Sequence, residues 1–298
     1  MKIEDMISKN RADCSGCAAC ANVCPKNCIA MLRDDEGFSY PNINHEVCIS
    51  CGKCEKVCPA LNFKPTMPDK LPEVFVAIHP DEKIRRHSSS GGVFTALSEL
   101  ILSTGGIIFG AGFDENWRVV HTSAENLDEL ENLRGSKYVQ SQIGDVYKRV
   151  KVELEKGRRV LFSGTPCQCG GLKSFLGKDY DNLLTVDFIC HGTPPPPLWE
   201  SYLEYIAQDH EIAHVNFRSK RDGWETALEI NFYDCGYYKK NTNTYIYLKI
   251  FMNEIDLRPA CYNCKFKFTN IKSDVTLADA WGVQQFAPQL IDNKLGTS

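Results

Sequence analysis

A twelve-residue cysteine motif occurs twice near the start of the chain and limits the possible folds more than any other feature. The first copy, "CSGCAACANVCP", contains Cys14, Cys17, Cys20 and Cys24. The second copy, "CISCGKCEKVCP", contains Cys48, Cys51, Cys54 and Cys58. Each cysteine of the second copy follows its counterpart by 34 residues, which indicates an internal duplication.

The spacing C-x2-C-x2-C-x3-C-P is typical of proteins that bind two 4Fe–4S clusters, because three thiolates of one copy bind one cluster and the fourth reaches the other. This spacing assigns Cys14, Cys17, Cys20 and Cys58 to the first cluster, and Cys48, Cys51, Cys54 and Cys24 to the second. Structural zinc is the alternative, but zinc usually takes its four ligands as two pairs. Cys28 lies outside both sets and is interpreted as a packing thiol rather than a ligand.

The segment between the two copies, "IAMLRDDEGFSYPNI", predicts two short strands around a polar turn. With the cluster motifs on either side, it predicts an α+β, ferredoxin-like two-cluster module over residues 1–65. Such modules transfer single electrons at low potential and perform no organic chemistry alone. The rest of the chain is therefore expected to contain the site that supplies or uses these electrons.

Composition narrows the class of protein further. Fifteen cysteines in a chain without an export signal favour metal ligation over disulfides, because the cytosol keeps thiols reduced. The formal charge of −4 offers no basic surface for nucleic acid. No stretch approaches the roughly 20 apolar residues that a membrane span needs. The sequence therefore predicts a cytoplasmic protein with no transmembrane segment and no nucleic-acid partner.

A proline-rich segment with Pro65, Pro68 and Pro72 indicates a linker to a larger domain. Beyond it, short apolar runs alternate with helical periods. Strands are predicted at "VFVAI", "GGIIFGAGF", "WRVVHTS", "RRVLFSG" and "LLTVDFIC". Helices are predicted at "GVFTALSELILS", "NLDELENL", "SQIGDVYKRVKVELEKG", "GLKSFLG" and "PPLWESYLEYIAQ". This alternation predicts an α/β domain with a mixed or parallel sheet.

Four further cysteines could form a third site. Cys167 and Cys190 each follow a predicted strand, and the carboxyl ends of strands in α/β sheets gather ligands. The pair Cys261 and Cys264 in "CYNC" would complete a four-thiolate set if its loop folds over that edge. The alternative is that Cys167 and Cys190 pack in the core while the pair binds nothing or shares a zinc.

Several other residues have more than one reading. His191 is a hydrogen-bond donor behind a cluster ligand, a proton carrier or a structural turn residue, and Cys169 and Cys235 have no assigned role. The serines and glycines of "RRHSSSGGVFTAL" suit a phosphate at a helix N-terminus, or plain capping. "RGSKYVQS" could contact a ring system. "GAG" at 110–112 lacks the dinucleotide-binding fingerprint.

Seven segments occur in an order that resembles the family of coenzyme F420 hydrogenase/dehydrogenase beta subunits, from about Glu73 to the end of the chain. They are "SSSGGVFTAL", "LRGSKYVQS", "VLFSGTPCQ", "VDFICHG", "FRSKRDGW", "LRPACYNCKFK" and "SDVTLADAWG". The resemblance implies a flavin-binding part over residues 71–150 and a C-terminal part over residues 155–298. It implies FAD, a nearby 4Fe–4S cluster, and two-electron exchange with a deazaflavin or comparable substrate.

The resemblance also implies roles for individual residues. Those expected to contact the flavin are Ser90, Gly91, Gly92, Lys137, Tyr138, Gln140, Ser141, Thr165 and Pro166. Those expected to bind the third cluster are Cys167, Cys190, Cys261 and Cys264. No catalytic residue is assigned.

The chain departs from the family pattern in three places. After GTPCQ, family members usually have an apolar residue, Ala and Gly, whereas this chain has Cys169, Gly170 and Gly171. The segment 278–281 reads Ala-Asp-Ala-Trp where Gly-Asp-aromatic-Trp is usual. The chain stops at "DNKLGTS", where family members continue with a further strand and helix, so a fragment is expected.

The expected function is that of an iron–sulfur flavoprotein oxidoreductase. Electrons would pass between a coenzyme F420-like carrier and a partner protein or complex subunit through FAD and the clusters. The alternatives are a ferredoxin-dependent reductase of another small molecule and a non-catalytic iron–sulfur electron-transfer subunit.

Overall fold

The cysteine-rich segment folds into two short helices and a β-hairpin. The computed structural model describes residues 3–4, 10–65, 72–224, 227–241, 245–267 and 273–288. A 3₁₀ turn at Arg11–Asp13 precedes α1 (Ala19–Val23); β1 (Ile29–Arg33) pairs antiparallel with β2 (Ser39–Ile43), and α2 (Lys53–Lys56) follows. The Asp34 carboxylate accepts hydrogen bonds from the backbone N–H of Glu36 and Phe38 and closes the hairpin turn. The predicted hairpin is confirmed.

One predicted strand is wrong. The run "VFVAI" at 74–78 is described but forms no strand, and the side chains of Val74 and Phe75 are 84% and 76% exposed. A short apolar run becomes a strand only where a sheet edge is available to it. Among the described residues, the segment 74–78 pairs with no strand. The linker at 66–71 lies outside the described residues.

The larger part begins with alternating helices and strands, close to the predicted order. In chain order these are α3 (Glu82–His87), α4 (Val93–Leu102), β3 (Ile107–Phe113), β4 (Val119–Ala124), α5 (Leu127–Leu133), α6 (Val146–Glu155), β5 (Val160–Ser163), α7 (Pro166–Leu176), β6 (Leu183–Phe188) and α8 (Pro196–Ala207). Helix α3 was not predicted. Helix α7 starts earlier than predicted because Thr165 and Gln168 form a capping box with Pro166 at the first helical position.

The central sheet has five strands in the order β10-β6-β5-β3-β4. Strands β3, β5, β6 and β10 (Val275–Leu277) are parallel, and β4 is antiparallel to β3. Ile107 and Phe109 face α6 and α7, while Ile108 faces α4 and α5, as the two-residue period of a strand requires. The predicted α/β domain with a mixed sheet is confirmed.

A second, antiparallel sheet was not predicted. It has the order β7-β8-β9, formed by β7 (Ile212–Asn216), β8 (Ala227–Phe232) and β9 (Tyr237–Asn241). Trp199 of α8 is fully buried against Phe217, with ring centroids 4.5 Å apart. The remaining elements are α9 (Ile246–Met252), α10 (Pro259–Tyr262) and a 3₁₀ turn at Val283–Gln285.

The cysteine-rich segment shares a core with the larger part. Cys17, Ala18 and Ala19 pack in one apolar cluster with side chains of α6 and α7. The Asn22 side-chain amide donates to the Gly144 carbonyl at 2.9 Å. The division at residues 65, 71, 150 and 155 stays a prediction. No helix in the described part of the chain is long and apolar enough to span a membrane.

Candidate metal centres

The structure brings the first predicted cysteine set together. Cys14 follows the first 3₁₀ turn, Cys17 lies just before α1, Cys20 lies in α1, and Cys58 follows α2. Burial raises the pKa of Cys20 well above its ordinary value, and the neighbouring thiols of Cys17, Cys14 and Cys58 raise it further. Cys58 of the second motif thus lies with three cysteines of the first motif, which is the grouping that the duplicated spacing predicts.

The second predicted set lies around a cavity of about 240 Å³. Cys24, Cys48, Cys51 and Cys54 line it, together with Cys28. The Cys28 and Cys24 sulfur atoms are 3.3 Å apart, so Cys28 lies against this set rather than in a separate core. Its assignment as a packing thiol stays a prediction.

The third predicted set also comes together, around a cavity of about 350 Å³. Strands β5 and β6 are parallel neighbours and end at the same sheet edge, which places Cys167 near Cys190. Helix α10 brings Cys261 and Cys264 over that edge, because the Arg258 N–H donates to the Thr193 carbonyl at 3.0 Å. Burial raises the pKa of Cys190, and the thiols of the other three cysteines raise it further.

The donor sets suit a metal cluster. Burial raises the pKa of Cys167 to about 12, and the thiols of Cys261 and Cys264 add to this shift. Thiolates gathered in a buried site repel one another, and a cationic metal group compensates that repulsion. A four-thiolate set is also the ligand set that 4Fe–4S clusters use. The residues present therefore fit a cluster at each of the three sites.

The first and third sets are close neighbours across the boundary between the two parts. A Cβ on Gly171 of α7 would lie 3.0 Å from the Cys17 sulfur and 2.9 Å from the Tyr147 hydroxyl. A side chain at position 171 would therefore push α1 away from α7. A Cβ on Gly170 would lie 2.9 Å from the Phe266 ring, so both glycines after Cys169 permit a close approach.

The predicted flavin contacts form a continuous path, which begins at the N-terminus of α4. Gly92 caps this helix with φ +88°, and a Cβ there would meet the His79 side chain at 2.9 Å. The Gly91 carbonyl accepts from the His79 N–H at 2.7 Å. The Ser90 carbonyl accepts from the Lys220 amine at 2.7 Å. The segment 134–141 adjoins this loop, since the Ser136 N–H donates to the Ser89 hydroxyl at 2.6 Å.

Lys137 and Tyr138 occupy the middle of the path. The Lys137 amine donates to the carbonyls of Asn132 and Arg134 at 2.7 and 3.0 Å. Burial lowers the pKa of Lys137 to about 7, so its amine is close to losing its charge at neutral pH. The Tyr138 hydroxyl accepts from Arg218 at 3.3 Å.

The path ends at the third cysteine set. Gln140, Thr165 and Pro166 line the same cavity as its four cysteines. The Thr165 hydroxyl lies 3.1 Å from the Cys167 sulfur. The Ser141 hydroxyl accepts from the Gln168 amide at 2.9 Å. The predicted flavin contacts therefore lead from the start of α4 to the sulfur atoms of the third set.

A buried histidine supports this end of the path and was not predicted. His121 of β4 is hydrogen-bonded through Nε2 to the Ser163 carbonyl and through Nδ1 to the Ser141 hydroxyl. A carbonyl only accepts, so Nε2 carries the proton and Nδ1 accepts from Ser141. Burial lowers the pKa of His121 to about 4, which keeps the ring neutral.

Sequence reasoning also missed a pair of buried cations beside the path. Arg218 is 7% exposed and donates through Nη1 to Asp279 at 2.9 Å. Its Nε and Nη2 atoms have no hydrogen-bond partner among the described residues. Burial and the charge of Arg218 together lower the pKa of the neighbouring Lys220 to about 7.

Two tryptophans lie next to these cations. Trp224 and Trp281 stack with centroids 4.3 Å apart, and the Trp224 indole donates to the Ser89 carbonyl at 3.2 Å. Asp279 and Trp281 belong to the segment that departs from the family pattern, and both make contacts here. The sequence offered one indication of this group: its cations and tryptophans lie in two of the segments that resemble the family, "FRSKRDGW" and "SDVTLADAWG".

His191 lines the cavity of the third set. Its Nε2 lies 3.6 Å from a Glu254 carboxylate oxygen, and its ring packs edge-on against Phe251 at 5.0 Å. Cys169 is fully buried in the core, and Cys235 is exposed and separate from the three sets. His191 therefore lies next to the third cysteine set, and Cys169 packs in the core.

Comparison with known proteins gives concordant matches along the chain. A model of the 4Fe-4S dicluster domain matches residues 13–62. Models of the coenzyme F420 hydrogenase/dehydrogenase beta subunit match residues 74–148 for the N-terminal part and residues 157–296 for the C terminus. The two beta-subunit models together cover more than half of the chain.

Individual relatives extend this comparison. An uncharacterized protein of Methanocaldococcus jannaschii is 26% identical over 98% of this chain and 86% of its own length. One of the F(420)H(2) dehydrogenase subunits of Methanosarcina mazei is 29% identical over 52% of this chain. The coenzyme F420-dependent sulfite reductase of M. jannaschii is 31% identical over 54% of this chain. The matches span 46% and 24% of the latter two relatives.

The family matches, the clustered cysteines and the order of the motifs agree with one another. The chain therefore carries a 4Fe–4S dicluster domain and belongs to the family of coenzyme F420 hydrogenase/dehydrogenase beta subunits.

Proposed function

We propose that this protein is an iron–sulfur flavoprotein that passes electrons between a two-electron organic carrier and a protein partner. The carrier would be a coenzyme F420-like deazaflavin, and the route would comprise FAD and three 4Fe–4S clusters. The observation that carries the proposal is the gathering of Cys167, Cys190, Cys261 and Cys264 between the predicted flavin contacts and the first cysteine set.

The buried cations support FAD as the bound cofactor. The Arg218 guanidinium has two buried nitrogen atoms without a partner in the described chain. Buried N–H groups without acceptors are costly, and a phosphate oxygen is a strong acceptor for a guanidinium. Lys220 adds a second cation nearby, and the Ser90 loop lies next to it. We therefore assign the phosphates of FAD to Arg218, Lys220 and the loop 90–92.

The residues of the path would orient the ring system. A bound flavin would supply the exchange between two-electron and one-electron chemistry, which iron–sulfur clusters alone do not perform. Lys137 offers an amine held by carbonyls, and Thr165 offers a hydroxyl next to Cys167. Neutral His121 fixes Ser141, which fixes Gln168 at the start of α7. These contacts would hold the cofactor edge toward the third cysteine set.

The cysteine-rich segment would carry electrons onward to the partner. The first set touches α7 through Cys17, and the second set has the exposed Cys51. Ile49 and Val47, beside this second set, are 57% and 45% exposed and offer an apolar surface. We assign the exit to a protein partner to this end of the molecule. One relative is itself described as a dehydrogenase subunit, which agrees with a partner chain.

Anaerobic purification followed by iron, acid-labile sulfide and flavin analysis tests the proposal. We expect about twelve irons and one FAD per chain, as for three cubanes and one flavin. Cys264→Ser should lower the iron content by about four atoms while flavin remains. Cys235→Ser is the matched control, because Cys235 lies outside the three sets. About eight irons in the unaltered protein, with no effect of Cys264→Ser, would reject the third cluster.

A second candidate is a reductase of another small molecule, and the F420-dependent sulfite reductase relative favours it. The two candidates differ in the electron acceptor. Reduced F420 that bleaches the protein-bound flavin without any further acceptor supports the first. Oxidation of the reduced protein by sulfite, and not by a ferredoxin-type acceptor, supports the second. A protein that binds iron but no flavin would instead be a non-catalytic electron-transfer subunit.

A further inference from the structure

A fully buried arginine lies between the first and third cysteine sets. Arg258 has no exposed surface and directly precedes α10, which carries Cys261. Its backbone N–H donates to the Thr193 carbonyl, so the residue is fixed beside the Cys190 loop. Its side chain leaves the larger part and enters the cysteine-rich segment.

The guanidinium bonds to acceptors from both parts of the molecule. Its Nε donates to the Cys14 carbonyl at 2.8 Å, and its Nη2 donates to the Ser39 carbonyl at 3.0 Å. Its Nη1 donates to the Gln140 side chain at 3.0 Å. The group also lies 4.3 Å from the centre of the Tyr40 ring. These acceptors satisfy the donors but are neutral, so they do not balance the charge.

Thiolates that hold clusters would balance this charge. Over the described ranges of the chain, no carboxylate forms an ion pair with Arg258. A buried charge without a counter-charge is unfavourable. The Cys14 sulfur of the first set lies 3.9 Å from Nη2, and Gln140, which accepts from Nη1, lines the cavity of the third set.

We propose that Arg258 is a positioning residue that places a positive charge between the first and third clusters and raises the reduction potentials of both. The inference rests on the proposed function, because it requires clusters at both cysteine sets. The physical reason is electrostatic: each cluster gains one electron on reduction, and a nearby cation stabilises the more negative reduced form. The same side chain holds the two cysteine sets at a fixed separation.

The test compares Arg258→Met and Arg258→Lys with the unaltered protein in an anaerobic titration with dithionite, the electron donor, followed by electron paramagnetic resonance. Arg258→Met should make reduction of the first cluster about ten times less favourable, which is 59 mV for one electron. Arg258→Lys, which keeps the charge, should recover most of this shift. Arg33→Gln is the control, since Arg33 also joins the two parts through Glu200 at 2.7 Å but is neutralised there.

The outcomes separate this inference from the proposed function. The iron content of the unaltered protein tests the clusters, whereas the shift between variants tests Arg258. Arg258→Met with a full iron content and unchanged potentials overturns the inference. A shift in Arg258→Lys equal to that in Arg258→Met overturns it too, because charge would then not be the cause. If Arg258→Met does not fold, Arg258→Gln takes its place: a tenfold loss that Arg258→Lys recovers supports the inference, and unchanged potentials in Arg258→Gln refute it.

Discussion

Replacing Arg218 with Met should weaken FAD binding by about two orders of magnitude. The guanidinium has two buried nitrogen atoms, Nε and Nη2, that have no partner in the described chain. A hydrogen bond between charged groups contributes about 1.5–3 kcal/mol. Two such bonds to phosphate oxygens therefore contribute at least about 3 kcal/mol, or about a hundredfold in Kd.

The assay is titration of the flavin-depleted protein with FAD, followed by quenching of flavin fluorescence without oxygen. Riboflavin, which has no phosphate, provides an internal comparison, because Arg218→Met should leave its weak binding unchanged. Arg221→Met is the matched control: Arg221 lies three residues away, is partly exposed, and is paired with Glu229 at 2.6 Å. We expect this control to bind FAD like the unaltered protein.

Two results would refute the reasoning. If Arg218→Met binds FAD as tightly as the unaltered protein, the free nitrogen atoms do not contact the phosphates. If the variant loses FAD and riboflavin equally, the loss is caused by a change in the fold, since Asp279 then loses its cation. A selective loss of FAD affinity confirms the assignment.

Two further predictions concern stability. The pKa of His121, lowered by burial from 6.5 to about 4, means that the unfolded chain binds a proton that the folded chain excludes. The stabilisation that this residue contributes is present above pH 6.5 and is lost as the pH falls toward 4; about 2 kcal/mol of it is lost between pH 7 and pH 5. In His121→Gln, the drop in melting temperature between pH 7 and pH 5 should therefore be smaller than in the unaltered protein. An unchanged drop contradicts the assignment. Gly171→Ala adds a Cβ 2.9 Å from the Cys17 side chain and should cost about 1–3 kcal/mol of unfolding free energy and reduce the iron content. Ser174→Ala in the same helix is its control, and equal melting temperatures for the two variants would contradict the predicted clash.

The candidate sites were predictable to different degrees. The first two cysteine sets follow from local spacing, because three of the four ligands of each lie within seven residues. The third set was only one of several readings, since Cys167, Cys190 and the pair at 261 and 264 are far apart in sequence. It needed the parallel order of β5 and β6 to bring the first two together.

The elements of the fold were likewise predictable to different degrees. The strands β3, β5 and β6 were predicted because buried parallel strands are nearly continuous apolar runs. The three-stranded sheet β7-β8-β9 was missed because its strands mix charged and apolar residues, as "YYKKN" does. The run "VFVAI" was wrongly predicted because apolar composition does not reveal whether a sheet edge is free.

The sequence by itself determined the cluster chemistry, because thiolate spacing is a local property that survives any arrangement of the rest of the chain. It also determined the alternation of strands and helices, since these follow from the periods of apolar residues. Only the tertiary structure decided which lone side chains share a site. Arg258 lies 244 residues from Cys14, and Arg218 lies 61 residues from Asp279. Each pair interacts because packing brings distant segments together inside a low-dielectric interior, which no local pattern records.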